Sequence, residues 1–268
     1  MFKFILYMVP ASSIVMMVID IIFGVAVPVL LSWWLVKKFN VKFSTILIGA
    51  ATFIVFALVL ESIVHNIVLK GPSGDTILNT PIYYALYGGL MAGLFEEVGR
   101  FLAMKLLLKK ESDRIMNGVG YGIGHGGAEM LLLFGIGTIS TLVMAIMINS
   151  GQTDTLMSQV PANAKDQLQA QLDAVSTTAA SDYLLGIWER ISALILQISL
   201  SVLVWGAARK GGRWIWLLPA AILIHAFVDG LLVFLQKSVS VFSLELICFI
   251  EALIVAWFAL FIARKAWK

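Results

Sequence analysis

Three stretches of the sequence carry acidic and imidazole side chains at spacings that suit proton transfer or metal binding. The first is Glu96-Glu97-Val98-Gly99-Arg100, in which the arginine follows the two glutamates at distances of four and three residues. Side chains three and four residues apart are neighbours on a helix, so one glutamate can pair with Arg100 while the other keeps a free carboxylate. A structural ion pair with Arg100 needs only one glutamate. The second glutamate therefore indicates a role in proton transfer or metal binding.

The other two stretches place each histidine on one helix face with further polar groups. Tyr121, His125 and Glu129 follow one another in steps of four residues, and His225 precedes Asp229 by the same step. Residues four apart share a face of a helix. At about 1.5 Å per residue, both histidines and the glutamate pair lie at comparable distances from the basic ends of their segments. We therefore expect three helices to bring these groups together.

Two kinds of hydrolysis suit such a group of side chains. Two neutral imidazoles and a carboxylate, here His125, His225 and Asp229, can bind a divalent metal such as zinc and leave a coordination position for water. In a metal-free alternative, Glu96 activates the water with His125. His225 and Asp229 then stabilise the oxyanion that forms on the attacked carbonyl. Both alternatives remain open from the sequence.

The composition identifies the surroundings of these residues as a membrane. The chain has 268 residues, of which 60% are hydrophobic and 13% charged, and its mean hydropathy is +0.94. Soluble domains are about half apolar and about a quarter charged, so this composition excludes a soluble enzyme, a disordered chain and a nucleic-acid-binding module. The single cysteine, Cys248, excludes a disulfide framework and a thiolate metal cluster. The expected partners are the lipid bilayer and a membrane protein or peptide substrate, with no nucleic acid.

Apolar runs of sufficient length divide the chain into seven candidate spans. A bilayer core about 30 Å thick needs about 20 apolar residues in a helix. The predicted spans are 10–36, 43–66, 80–108, 116–148, 183–208, 214–236 and 241–263. The sequence thus predicts an all-α, polytopic transmembrane helical bundle that forms a single integral membrane domain, 1–268, in the plasma membrane.

The basic residues predict the orientation of these spans. One set falls in alternate connections or at the C-terminus: Lys37, Lys38, Lys42, Lys105, Lys109, Lys110, Arg114, Arg209, Lys210, Arg213, Arg264, Lys265 and Lys268. The opposite set holds Lys3, Lys70, Lys165 and Lys237. Because cytoplasmic loops are enriched in Lys and Arg, we expect the N-terminus outside and the C-terminus in the cytoplasm. The polar loop at about 149–182 is then extracytoplasmic, and we expect a short surface helix within it.

Several further ionisable residues receive lesser roles. Glu129 is one turn from His125 and either orients its imidazole or completes a site with Glu189. Glu189 itself is predicted as a brace between helices, with a metal ligand or a support for a metal ligand as the alternative. The remaining charged residues of the spans, Asp20, Glu61, Glu245 and Glu251, are interpreted as packing or boundary residues, and His65 as a residue at the outer membrane surface.

The order of these motifs resembles that of a known superfamily. The chain is similar to the type II CAAX prenyl endopeptidase superfamily (CPBP or Abi), and most closely to its YhfC-type branch of intramembrane metalloproteases. That superfamily has a double glutamate followed by an arginine, then aromatic-x-x-x-His, then His-x-x-x-Asn/Asp, on separate transmembrane helices. The resemblance covers about residues 91–230, within a family-like core at about 80–236.

The resemblance implies roles for individual residues. Glu96 would be the base that activates water, His125 its partner or a metal ligand, and His225 with Asp229 the remaining ligand or oxyanion pair. Glu97 and Arg100 would form a structural brace, with Tyr121 beside His125. The chain departs from the superfamily pattern in having two residues, where three are usual, between the glutamate pair and the arginine, which turns the arginine by about 100° around the helix. Tyr121 replaces the usual Phe, and Asp229 carries a charge that Asn lacks.

The sequence therefore favours an intramembrane peptidase that hydrolyses a membrane-embedded or membrane-adjacent peptide bond, with a divalent metal, zinc first among the candidates. Two other functions use the same residues. Buried Glu, His, Asp and Arg also form the proton or ion pathways of transporters. A membrane scaffold or immunity factor with a vestigial site is the third hypothesis.

Overall fold

A computed structural model describes residues 8–267, and within them every regular element is helical. Lys3 and Lys268, which contribute to the charge asymmetry, lie outside the described residues. The α-helices of this part of the chain are α1 (Ala11–Phe39), α2 (Phe43–Phe53), α3 (Ser62–Leu69), α4 (Gly74–Asn79), α5 (Pro81–Leu102), α6 (Ile115–Glu129), α7 (Gly137–Asn149), α8 (Thr153–Gln159), α9 (Lys165–Thr177), α10 (Ala180–Lys210), α11 (Leu217–Leu235) and α12 (Val241–Ala266).

Three π-helical segments make longer continuous helices out of these elements. Ile54–Glu61 joins α2 to α3, Ala103–Leu107 extends α5, and Met130–Ile136 joins α6 to α7. Short π-helical segments inside α-helices occur frequently at functional sites. The first of these segments ends at Glu61, and the third begins directly after Glu129.

The prediction of an all-α transmembrane bundle is confirmed. Among residues 8–267, six helices are long and apolar enough to cross a membrane: Ala11–Phe39, Phe43–Leu69, Ile115–Asn149, Ala180–Lys210, Gly212–Leu235 and Val241–Ala266. They correspond to six of the seven predicted spans. The remaining span, 80–108, is also one continuous helix, formed by α5 and its π-helical extension. Its glutamates, arginine and lysine make it more polar than the others.

The described chain divides into two compact units, and the prediction of one membrane domain remains a prediction. One unit contains the residues up to Ala26 and Leu131–Ile187. Its core includes Met17, Ala145 and Leu172, so helix α9, in the predicted polar loop, packs its apolar side against membrane helices. The expected short helix of this loop is present as α9, and α8 precedes it.

The second unit comprises Val27–Met130 and Trp188–Lys268 and holds every candidate catalytic residue. Its central helix is the part of α10 from Trp188 onward, where Leu200, Leu203 and Trp205 are fully buried. Because most of α10 is enclosed by protein, its polar residues must find partners inside the unit.

Basic loops gather at one end of this second unit. Lys42 forms an ion pair with Glu111 (2.9 Å), and Lys210 forms one with Asp113 (2.7 Å). Arg114 donates to the carbonyl oxygen of Asn40 (3.0 Å). Three connections that the charge pattern assigns to the cytoplasm thus lie side by side. The orientation in the membrane stays a prediction that this grouping supports.

Glycines allow the site-bearing helices to approach one another closely. A Cβ atom on Gly124 of α6 would overlap the carbonyl group of Ile46 in α2. A Cβ on Gly89 or Gly93 of α5 would overlap the backbone of α11, at Ala226 and Ile222 respectively. Small residues at helix interfaces give membrane helices this backbone contact. The contacts of Gly89 and Gly93 hold α5, which carries the glutamate pair, against α11, which carries His225.

We expect Gly124→Ala to destabilise the protein by about 1–3 kcal/mol, because the added methyl group must push α6 away from α2. Thermal unfolding in detergent micelles measures the effect. Gly88→Ala is the matched control, since no described atom beyond the adjoining turns of α5 lies within 4 Å of a Cβ at Gly88. Alanine is the better helix former, so this control should be neutral or more stable by about 0.5–1 kcal/mol. Equal losses in both variants would contradict the close contact of α2 with α6.

Candidate active site

The carboxylate of Glu96 accepts contacts from three different helices. Its Oε2 atom lies 2.9 Å from His125 Nε2, in α6, and 3.1 Å from Gln197 Nε2, in α10. Arg100, one turn further along α5, donates to the same oxygen at 3.4 Å. Three donors on one oxygen hold the carboxylate in a defined position and leave the other oxygen, Oε1, outside this set of contacts.

Arg100 joins the two glutamates to α10. Its guanidinium lies 3.4 Å from Glu96 and 3.5 Å from Glu97, and its side chain is fully buried. It also donates to the carbonyl oxygen of Gln197 (3.1 Å), to Ser201 Oγ (3.2 Å) and to the side-chain oxygen of Gln197. The positive charge of this buried arginine compensates the negative charges of the two carboxylates, each of which would cost free energy if it were alone at membrane depth.

Glu97 and Asp229 flank the imidazole of His225. Glu97 Oε1 lies 2.7 Å from Nδ1, and Asp229 Oδ2 lies 3.5 Å from Nε2. Glu97 and His225 are buried, whereas the Asp229 side chain is 35% exposed. The two glutamates therefore face different histidines, Glu96 with His125 and Glu97 with His225.

Aromatic rings hold the imidazole of His125. Phe53 of α2 contacts it edge to face, with ring centroids 5.3 Å apart. Tyr121, one turn earlier in α6, stacks on it at 6.3 Å and an interplanar angle of 26°. Both aromatic residues are buried, so the ring has little freedom to turn away from Glu96.

A cavity of about 250 Å³ opens beside these side chains. Glu96, His225 and Asp229 line it, together with Gln197 and the apolar side chains of Leu196 and Leu232. Glu97 and His125 are not part of the lining and lie behind it. A bound molecule could therefore touch Glu96, His225 and Asp229 directly, while His125 and Glu97 act through these residues.

A second group of charges lines the same cavity. Arg190 donates to Glu129 (3.1 Å) and forms an ion pair with its neighbour Glu189. The other carboxylate oxygen of Glu129 accepts from Gln197 Nε2 (2.8 Å). Glu129 thus contacts Arg190 and Gln197, and the expected contact with His125 is absent from the described hydrogen bonds. Glu189 pairs with the adjacent arginine on its own helix.

The predicted metal ligands do not fit a metal ion as they are arranged. Among residues 8–267, no group of three or more His, Cys, Asp or Glu side chains is placed so that it could hold a metal ion. Both nitrogens of His225 face carboxylates, and the Nε2 atom of His125 faces Glu96. The Nδ1 atom of His125 is buried and has no hydrogen-bond partner in the described part of the chain. A shared ligand set of His125, His225 and Asp229 would require these contacts to break.

Two sets of polar residues in this unit received no functional role from the sequence. Gln197 contacts Glu96, Arg100 and Glu129. The sequence did not identify it because an uncharged side chain in an apolar run gives only a weak signal of function. His65 lies 3.1 Å from Glu61 and 2.9 Å from the hydroxyl of Tyr87. The spacing of Glu61 and His65, four residues, repeats that of the other His and carboxylate pairs and is the signal that could have identified them.

Comparison with known proteins shows which family the chain belongs to. Residues 23–254 match the family described as YhfC intramembrane metalloprotease. The chain is 36% identical over 233 residues to a Bacillus subtilis (strain 168) protein named "Uncharacterized membrane protein YhfC", and the match covers 87% of this chain and 88% of that protein. No solved structure matches the chain. This integral, multi-pass membrane protein therefore belongs to the YhfC intramembrane metalloprotease family.

Proposed function

We propose that this protein is an intramembrane peptidase of the cell membrane that hydrolyses a membrane-embedded or membrane-adjacent peptide bond. The carrying observation is the cavity lined by Glu96, His225 and Asp229, in which His125 holds the Glu96 carboxylate from behind. The description of the family as a metalloprotease supports hydrolysis as the reaction class. The wider resemblance to the CPBP superfamily stays a prediction.

Glu96 would act as the general base in this proposal. A water molecule in the cavity gives a proton to the free oxygen of the Glu96 carboxylate as its oxygen attacks the carbonyl carbon of the substrate. His125, Gln197 and Arg100 hold the other carboxylate oxygen, so the base keeps one orientation throughout the reaction. The C–N bond then breaks, and protonated Glu96 gives its proton to the leaving amine.

His225 would stabilise the negative charge that develops on the carbonyl oxygen. With protons on both nitrogens, the imidazole donates Nδ1–H to Glu97 and offers Nε2–H to the oxyanion. Asp229 faces the same nitrogen at 3.5 Å, so the substrate's oxyanion would replace Asp229 as the partner of Nε2–H. Preorganised donors of this kind supply a large part of the rate acceleration in acyl transfer.

The proposed steps use only side chains of this chain, because the donor set does not fit a metal ion. We expect purified protein and a His125→Ala variant to contain equal amounts of zinc by elemental mass spectrometry. Cleavage should also survive treatment with a chelator. One equivalent of zinc in the wild type that is lost in His125→Ala would instead support the zinc site predicted from the sequence, formed after His225 and His125 leave their carboxylate partners.

The test of the function is the appearance of new peptide termini. Membranes of cells that produce the wild-type protein should contain cleaved termini, detected by mass spectrometry, that are missing from cells producing Glu96→Gln at the same level. The comparison covers every protein of the membrane at once, so it does not require a chosen substrate. Identical sets of termini in the two samples would contradict the proposal.

A proton pathway is the second candidate function, and one observation favours it. Tyr87, His65 and Glu61 form a hydrogen-bonded row, and Glu61 is near enough to Glu96 and His225 to interact electrostatically. Buried ionisable residues in rows are typical of proton relays. Peptide cleavage that depends on Glu96 would leave this candidate without support.

A further inference from the structure

A second cavity lies between α11 and α12, and its walls are almost entirely apolar. Its volume is about 450 Å³. Leu223 and Phe227 of α11 and Ile254 and Trp257 of α12 form its rim, and all four are exposed on the surface of the protein. We call this cavity the α11/α12 groove. Apolar exposure is normal on a surface that faces lipid, so these side chains alone do not indicate a partner.

Glu251 makes the groove different from an ordinary lipid-facing surface. It is the charged residue of the lining, and neither of its carboxyl oxygens has a hydrogen-bond partner among the described residues. Glu251 is ten residues from the start of the 26-residue helix α12, which places it about 15 Å into the membrane, near the bilayer centre. An unpaired carboxyl at this depth is costly. Acyl chains have no hydrogen-bond donor to offer it, so lipid is a poor occupant of the groove.

The groove is continuous with the proposed reaction cavity. Val228 lines both of them, and the next residue, Asp229, lines the reaction cavity. On the facing helix, Cys248 lines the reaction cavity, one turn before Glu251. Glu251 and Asp229 are also near enough to interact electrostatically. A molecule in the groove would therefore lie next to the candidate catalytic side chains, on their membrane side.

We propose that the α11/α12 groove docks a transmembrane helix that carries a hydroxyl or amide side chain at its midpoint. Apolar side chains of the docked helix fill the groove, and the carboxyl group of Glu251 turns to accept the hydrogen bond of the polar one. Polar side chains hydrogen-bond across helices in this way within membranes. That the docked helix is a substrate rests on the proposed peptidase function, whereas the docking itself does not.

The test measures binding of two synthetic peptides. Each has about 20 leucine and alanine residues, enough to span a bilayer, and one carries a central serine where the other has leucine. Fluorescence energy transfer reports their association with the labelled full-length protein in phosphatidylcholine vesicles. Glu96→Gln serves as the background so that the peptides stay intact. We expect the serine peptide to bind about three- to tenfold more tightly, the range typical of a hydrogen bond between membrane helices.

Variants identify the groove as the binding surface. Glu251→Leu should bind both peptides equally, and Glu251→Gln, which keeps an acceptor oxygen, should retain the preference for serine. Leu223→Trp fills the groove and should weaken binding of both peptides. Leu30→Trp on α1, at a leucine of similar exposure (60% against 63%), should leave binding unchanged.

Three outcomes would overturn the proposal: equal binding of the two peptides by the parent protein, a serine preference that persists in Glu251→Leu, or equal effects of the two tryptophan variants. Because binding is measured without hydrolysis, such a failure leaves the peptidase proposal standing. Conversely, if the protein binds the serine peptide through Glu251 but yields no Glu96-dependent termini, the docking proposal stands and the peptidase proposal is contradicted.

Discussion

Glu96→Gln should lower the rate of peptide cleavage by about 10²- to 10⁴-fold, the range that general bases contribute to enzymatic rates. The substitution keeps the size of the side chain and an oxygen for the hydrogen bonds of His125 and Gln197, but the amide cannot take a proton from water. The expected loss therefore appears in activity and not in folding. Quantitative mass spectrometry of the cleaved termini, normalised to the amount of protein in the membrane, measures it.

Glu111→Gln is the matched control for this change. Glu111 is a carboxylate of the same unit, paired with Lys42 at the basic end, and has no place in the cavity lining. We expect this control to cleave at the wild-type rate. Full activity of Glu96→Gln would assign the base to another residue, and equal losses in the two variants would indicate a general effect on the protein.

Arg100→Met should reduce the free energy of unfolding by about 3–5 kcal/mol, the cost of removing one partner of a buried ion pair. The methionine has similar length and no charge, so Glu96 and Glu97 would remain in a buried site without their shared cation. The hydrogen bonds to the carbonyl oxygen of Gln197 and to Ser201 would also be lost. Unfolding of the detergent-solubilised protein in a denaturant titration measures the change.

Two further variants test the cause of this loss. Arg213→Met removes an arginine at the basic end that stacks on Trp214, and we expect a change within about 0.5 kcal/mol, as for most surface substitutions. Adding Glu97→Gln to Arg100→Met should recover part of the stability, because one uncompensated carboxylate disappears. If the double variant is less stable than Arg100→Met alone, charge balance is not the role of this arginine.

The seven helical segments were predictable because lipid imposes a simple length requirement on the sequence. Each predicted span corresponds to a helix whose ends differ by only a few residues, for example 241–263 against Val241–Ala266. The bilayer core contains no water to hydrogen-bond with backbone groups. An apolar run of this length therefore forms a helix, in which the backbone groups bond to one another. The helical part of the polar loop followed from the good helix formers after Pro161, whereas its packing in a core with Met17 depended on contacts distant in sequence.

The pairing of the candidate side chains was predictable only in part. Spacing along α5 placed Arg100 next to both glutamates, and the structure contains both contacts. Spacing also suggested that Glu129 orients His125. In the structure, α10 places Arg190 and Gln197 so that both donate hydrogen bonds to Glu129. Glu251, interpreted as a packing or boundary residue, lies in a groove where neither of its carboxyl oxygens has a hydrogen-bond partner among residues 8–267, because the α11 side chains that line this groove are apolar.

Composition, run length and motif order were enough to predict the membrane environment, the helices, the residue types of the candidate site and the family. Which glutamate faces which histidine, and that Glu96 lines the cavity while Glu97 lies behind it, followed only from the packing of the helices. This is because adjacent residues of a helix point about 100° apart. The partners of Glu96 and Glu97 therefore depend on which helices lie next to α5. The distances between these helices depend in turn on glycine contacts between segments far apart in the chain.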